Sequence, residues 1–134
     1  MFEFVSGFLT FAAYVAGAAL FCLLFGFVYL RLTPHREFDL IVREHNASAA
    51  IALGGSLIGF AIALAAAIHV TRSAPEFVVW ALVAVLTQVV AYSVAKWSHP
   101  GLSAAIESNA LSAALYLASV SISAGLISAA CMGA

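Results

Sequence analysis

Charged residues are scarce in this sequence. It contains five Lys and Arg and six Asp and Glu, or 8% of the chain, while 65% of its residues are hydrophobic. Soluble domains carry about 25% charged residues, and a chain of this size with so few polar side chains cannot cover its own surface in water. The composition therefore excludes an ordinary soluble domain. A net charge of −1 also gives no electrostatic support to a nucleic-acid partner.

Cysteine is equally sparse, and chemical motifs are missing. Cys22 and Cys131 both lie in apolar segments and fit neither a metal-ligand spacing nor a disulfide framework. No two histidines are four residues apart, as two metal ligands on one helix face would be. No Ser or Cys has a His and a carboxylate at a recognisable spacing, and no phosphate-binding loop is present. We predict no catalytic residues, no metal and no cofactor.

Four long apolar runs make up most of the chain. About 20 apolar residues cross the hydrocarbon core of a bilayer, and a helix satisfies its own backbone hydrogen bonds there. We therefore predict an all-α membrane protein with four transmembrane helices at residues 4–30, 47–70, 77–95 and 110–132. Because the start has Glu3 and no basic residue, it does not resemble a secretory signal, and we expect the first run to be retained as a span.

The distribution of basic residues predicts an orientation. Arg31, Arg36 and Arg43 lie between the first and second runs, and Lys96 lies between the third and fourth. Arg72, between the second and third runs, is the single basic residue on the other side. Because loops rich in Lys and Arg stay in the cytoplasm, we expect both charged connections to be cytoplasmic. Both termini are then periplasmic, in a bacterial inner membrane.

The two halves of the chain resemble each other. Each runs from a basic residue through Pro, Glu and Asn into an Ala-rich span: Arg31, Pro34, Glu44 and Asn46 in the first half, and Lys96, Pro100, Glu107 and Asn109 in the second. This order predicts two tandem two-helix repeats. Repeat 1 covers residues 1–72 with an interfacial helix at 34–45, and repeat 2 covers residues 73–134 with an interfacial segment at 100–108. Chance similarity between Ala-rich helices is the alternative.

The connection between the first two runs gathers much of the charge. Six charged residues lie between Arg31 and Glu44, and apolar residues at helical spacing indicate an amphipathic helix in the headgroup region. Asp39 and Arg43 are four residues apart and can pair, and Asn46 suits the N-cap of the next span. We predict that this helix docks a partner through Phe38, Ile41, Val42, Arg36 and Arg43.

Small residues form stripes on the second and fourth spans. Helices in lipid associate by close packing, which small side chains at four-residue spacing allow. Gly55 and Gly59 form such a pair and Gly54 widens it, while the fourth span has serines and a glycine at matching spacing. We predict a packing seam, either within one chain or between copies in a homo-oligomer, made by Gly54, Gly55, Gly59, Ser119, Ser121, Ser123 and Gly125.

Five polar residues are candidates for a polar contact or a pore. Gln88 is the most interior of them, and a polar group within lipid faces water or a partner. It either lines a pathway or makes a hydrogen bond between helices. Glu44 and Glu107 either line a cation-attracting mouth or face solvent. Asn46 and Asn109 complete the set.

Several segments carry a family resemblance. TPHREFDLI, NASAAIALGGSLIGF, the Gln in LTQVVAY and the ending SAACM are similar to the YjfL family of small bacterial inner-membrane proteins, over nearly the whole chain. The resemblance implies a duplicated two-span domain of unknown function. It also implies an envelope-stress or polyamine setting, because genes of the family often lie beside genes for membrane-remodelling proteins and polyamine-related enzymes.

These observations support three hypotheses on function. The first is a non-enzymatic, self-associating subunit that docks a cytoplasmic membrane-associated protein or anionic lipid, in a setting of envelope stress. The second is an oligomeric channel or transporter subunit for a small cation or polyamine. The third, an intramembrane enzyme, has no catalytic residues to support it.

Overall fold

The described part of the protein forms six helices. The computed structural model describes residues 1–32 and 37–133, and within these ranges all regular structure is α-helical. The helices are α1 Phe2–Leu32, α2 Glu37–Val42, α3 Ala47–Val70, α4 Ala74–Ser98, α5 Leu102–Glu107 and α6 Leu111–Met132. By length and hydropathy α1, α3, α4 and α6 can each cross a membrane. The predicted all-α membrane protein with four spanning helices is therefore confirmed.

Local signals in the sequence set the starts of α3 and α4. The Asn46 side chain accepts a hydrogen bond from the backbone N–H of Ala49, so the predicted N-cap is confirmed. Ser73 accepts from the N–H of Glu76 and Pro75 lies in the first turn of α4, where its missing N–H costs nothing. A short link, residues 71–73, joins α3 to α4, so the two helices run antiparallel.

The helix α3 lies at the centre of the bundle and packs against α6 along its length and also against α4 and α1. Its buried face is rich in alanine, including Ala52, Ala63 and Ala67, and side chains of this size allow close approach of the helix backbones. The larger Phe60 fills the space towards α1 and stacks on Phe25, with ring centroids 4.8 Å apart. The buried face of α3 therefore combines small residues towards its neighbours with an aromatic contact to α1.

The helix α1 is peripheral. Its buried residues are Phe25 and Tyr29 in its last third, while most of the large apolar side chains before them are exposed, such as Phe4 and Leu9. In a membrane-spanning helix these exposed side chains contact lipid or another protein.

Both connectors lie at one end of the bundle. Helix α2 packs against α3, and α5 packs against α3 and α6. Just after α2, the Arg43 guanidinium lies 3.9 Å from the Asp39 carboxylate, which confirms the predicted pair, although an exposed pair of this kind adds little stability. Arg36 and the side chain of Phe38 lie outside the described residues.

The order long helix, short helix, long helix occurs twice, in α1–α3 and in α4–α6. This order agrees with the two predicted repeats of residues 1–72 and 73–134. The common origin of the two halves stays a prediction.

Candidate functional site

The helices α3 and α6 approach each other closely along a seam of glycines. A Cβ atom built on Gly55 would overlap Ala118, one on Gly59 would overlap the carbonyl of Ser121, and one on Gly125 would overlap the carbonyl of Gly59. At these points the backbone of one helix therefore touches the other. The structure brings the two predicted small-residue stripes together within one chain.

Three of the predicted packing residues lie elsewhere. A Cβ on Gly54 would meet nothing within 4 Å, and Ser119 and Ser123 are exposed. Each of these serines is two residues from the buried Ser121, which is about 200° around an α-helix. They therefore face away from α3, into a groove between α4 and α6.

Polar side chains meet in the middle of the seam. The Gln88 Nε2 of α4 donates to the carbonyl of Ser121 at 3.1 Å, and the hydroxyl oxygens of Ser56 and Ser121 are 3.4 Å apart. Gln88 is 2% exposed, and its Oε1 has no hydrogen-bond partner. We call Ser56, Gln88 and Ser121 the polar centre. It links α3, α4 and α6, and it does not line either of the two grooves described below.

Two asparagines join the connectors. The Asn46 Nδ2 donates to the carbonyls of Ile106 at 3.0 Å and Glu107 at 3.2 Å, and the N–H of Ser48 donates to Asn109 Oδ1 at 3.0 Å. Asn109 has a φ of 65°, in the left-handed region that Asn tolerates better than most residues. We call Asn46 and Asn109 the connector clasp. It fixes the start of α3 to the turn between α5 and α6.

Several exposed residues lie at the same end of the bundle as the clasp. Val42 is 60% exposed and Trp97 is 85% exposed, while Ile41 is half-buried. The predicted mouth residues Glu44 and Glu107 are both exposed at this end. We call this surface the connector face and define it by its exposed residues Val42, Arg43, Glu44, Lys96, Trp97 and Glu107.

A groove of about 810 Å³ runs between α4 and α6. Its walls are mostly apolar, but Thr87, Ser119, Ser123 and Ser128 place hydroxyl groups along it. The Thr87 hydroxyl donates to the carbonyl of Val83. Cys131, a free and exposed thiol, lies at one end. The groove offers hydroxyl groups but no charge.

Two serines of α3 belong to the site but were not among the residues predicted from the sequence. Ser48 is fully buried and supplies the N–H that the clasp uses, and Ser56 belongs to the polar centre. Ser56 could have been found from its position, because it is a polar residue next to Gly55 in an otherwise apolar span. Within residues 1–32 and 37–133, no group of three or more His, Cys, Asp or Glu residues is placed to hold a metal ion.

The four apolar helices, the tight glycine seam and the clasp at one end define a multi-pass α-helical membrane protein. The family model described as Domain of Unknown Function (DUF350) matches residues 3–132, so the chain belongs to this family.

Two curated relatives agree with that membership. The UPF0719 inner membrane protein YjfL of Escherichia coli (strain K12) is 30% identical over 124 residues, which cover 92% of this chain and 93% of the relative. The protein of the same name from Escherichia coli O157:H7 gives the same values. The resemblance to the YjfL family is thereby confirmed, and the chain is a multi-pass inner-membrane protein. No solved structure matches at a significant level.

Proposed function

We propose that this protein is a non-enzymatic, self-associating membrane subunit whose connector face docks a membrane-associated protein in the cytoplasm. The observation that carries this proposal is the connector clasp. Asn46 donates to the carbonyl of Ile106 in α5, and Asn109 accepts from the N–H of Ser48 in α3, so these bonds hold the start of α3 against the turn between α5 and α6. A preorganised surface loses less entropy when it binds a partner.

The charge of the connector face favours a protein over anionic lipid. Lipid-binding segments are clusters of Lys and Arg. Here the two basic residues of the connector face, Arg43 and Lys96, are matched by its two acidic residues, Glu44 and Glu107. An exposed tryptophan is also favoured at protein interfaces, where aromatic residues are enriched within a polar rim. Anionic lipid remains the alternative partner.

Orientation and self-association complete the proposal. The two connections hold four of the five Lys and Arg residues, against Arg72 alone on the other side, and this distribution supports a cytoplasmic connector face. The exposed apolar length of α1 supplies a surface on which copies can associate within lipid. The family resemblance supports a role in envelope stress.

Site-specific photocrosslinking in cells tests the docking proposal. A photoreactive residue at Val42 should give a discrete crosslinked product, whereas one at Val79, which is exposed on α4, should give lipid adducts only. Asn109→Gly keeps the left-handed backbone but removes the bond to Ser48, so it should weaken the crosslink at position 42. Equal products at positions 42 and 79, or crosslinking that Asn109→Gly does not change, would contradict the proposal.

The groove between α4 and α6 favours a second candidate, an oligomeric channel or transporter subunit for a small cation or polyamine. Copies arranged around an axis would turn the hydroxyls of Ser119 and Ser123 towards one pathway. Flux of potassium or spermidine into proteoliposomes that is lost in a Ser119→Val, Ser123→Val variant supports this candidate. Protein that passes neither solute removes it.

A further inference from the structure

A second groove, of about 500 Å³, lies between α1 and the start of α4. It is at the end of the bundle opposite the connector face, because the link between α3 and α4 forms one of its edges. Neither the clasp nor the polar centre contributes to it. We call it the α1–α4 groove.

The floor of the α1–α4 groove is aromatic. Tyr14 and Phe21 of α1 each meet Phe77 of α4 edge to face, with ring centroids 5.5 Å and 5.8 Å apart. Phe77 is 5% exposed, so its ring is fixed between the two helices. A Cβ on Gly17 would lie 3.5 Å from this ring, and the absence of a side chain there leaves the floor open. Such a floor suits a hydrocarbon chain.

The mouth of the groove carries a cation. Arg72 lies in the link before α4 and is exposed, next to Ser73. It makes no ion pair with any residue in the described ranges. Glu76, in the first turn of α4, is exposed and does not line the groove. A guanidinium binds a phosphate through two parallel hydrogen bonds, and the start of a helix also favours an anion.

We propose that the α1–α4 groove binds one glycerophospholipid, with an acyl chain on the aromatic floor and the phosphate at Arg72. Charge and polarity argue for this occupant. The groove is apolar along its length and cationic at its mouth, and the mouth lies at the end of a membrane-spanning helix, at the depth of lipid headgroups. The apolar floor is followed by a cation at the mouth, just as the acyl chain of the lipid is followed by its phosphate.

Native mass spectrometry of the purified full chain tests the proposal, with phosphatidylglycerol and diacylglycerol titrated in separate experiments. The wild type should bind phosphatidylglycerol at least about tenfold more tightly than diacylglycerol, since a hydrogen bond to a charged group is stronger than one between neutral groups. Arg72→Gln should bind both lipids alike. Ala13→Trp places a ring in the groove and should bind neither.

Matched controls accompany each variant. Lys96→Gln removes a cation at the opposite end, and Ala12→Trp adds a ring to an exposed position of α1 that does not line the groove. Both should bind as the wild type does. If Ala13→Trp does not give one helical species by circular dichroism and gel filtration, Gly17→Leu fills the groove from the adjacent turn.

Two results would overturn the proposal. Equal phosphatidylglycerol binding by the wild type and the groove-filling variants would show non-specific lipid around the bundle. Loss of an oligomer peak in those variants, with lipid binding unchanged, would show that a second copy of the chain occupies the groove.

Discussion

At the scale of single residues, the glycines of the seam hold the bundle together. In lipid, packing replaces the hydrophobic effect as the force between helices. Gly59 lies against the backbone of Ser121, and Gly125 lies against the backbone of Gly59, so neither glycine has space for a Cβ atom. Gly54 has the same chemistry in the same helix and open space around it.

Gly59→Ala should lower the free energy of unfolding by about 1–3 kcal/mol, the usual cost of overpacking. Gly54→Ala is the matched control and should be neutral or add up to about 1 kcal/mol, since Ala favours helix over Gly. Unfolding of both variants in mixed micelles of increasing denaturing-detergent content measures the difference. Equal effects of the two substitutions would contradict the close backbone packing of α3 against α6 at Gly59.

Gln88 gives a second residue-scale prediction. Gln88→Leu removes one interhelical bond, worth about 0.6 kcal/mol on average, and also removes a buried oxygen that has no hydrogen-bond partner. The two effects oppose each other, so stability in the same assay should change by less than about 1 kcal/mol. A cost as large as that of Gly59→Ala would mean that the polar centre holds the bundle together.

At the scale of elements, the sequence predicts where helices lie but not how they are rotated. Length and hydropathy predicted the four spans, and α3 has the predicted bounds, 47–70. The sequence did not predict which face of α6 packs against α3, because its faces are all apolar and small residues occur on several of them. Ser121 and Ser123 are chemically equal in the sequence, yet one is 1% exposed and the other faces the groove.

The clasp also depends on long-range geometry. Its partners are about 60 residues apart in the chain, so the sequence indicated only the local part, the N-cap of α3. The carbonyls of Ile106 and Glu107 become partners for Asn46 only when α5 packs on α3.

Asn46→Asp separates the two roles of this side chain. Aspartate still accepts from the N–H of Ala49 but cannot donate to the carbonyls of Ile106 and Glu107. Hydrogen exchange should become about thirtyfold faster in α5, since two bonds worth about 1 kcal/mol each are lost, and should stay unchanged at the start of α3. Asn46→Ala should speed exchange in both segments. Unchanged exchange of α5 in the aspartate variant would show that the clasp does not hold the connectors.

At the scale of the whole molecule, four crossings place both connectors on one face of the membrane. The order of spans and the matching basic residues predicted this arrangement, and the clasp shows the two connectors in contact. The sequence could not predict the lateral surfaces. The grooves on either side of α4 depend on the angles at which α1 and α6 pack against it. No local sequence pattern predicts these angles.

Cysteine accessibility tests this arrangement most directly. In a Cys22→Ala, Cys131→Ala background, single cysteines replace Val42, Trp97 and Arg72, all of which are exposed. A membrane-impermeant maleimide should label positions 42 and 97 in inverted membrane vesicles only, and position 72 in intact spheroplasts only. Labelling of positions 42 and 97 from opposite faces would contradict the four-crossing bundle and the connector face built on it.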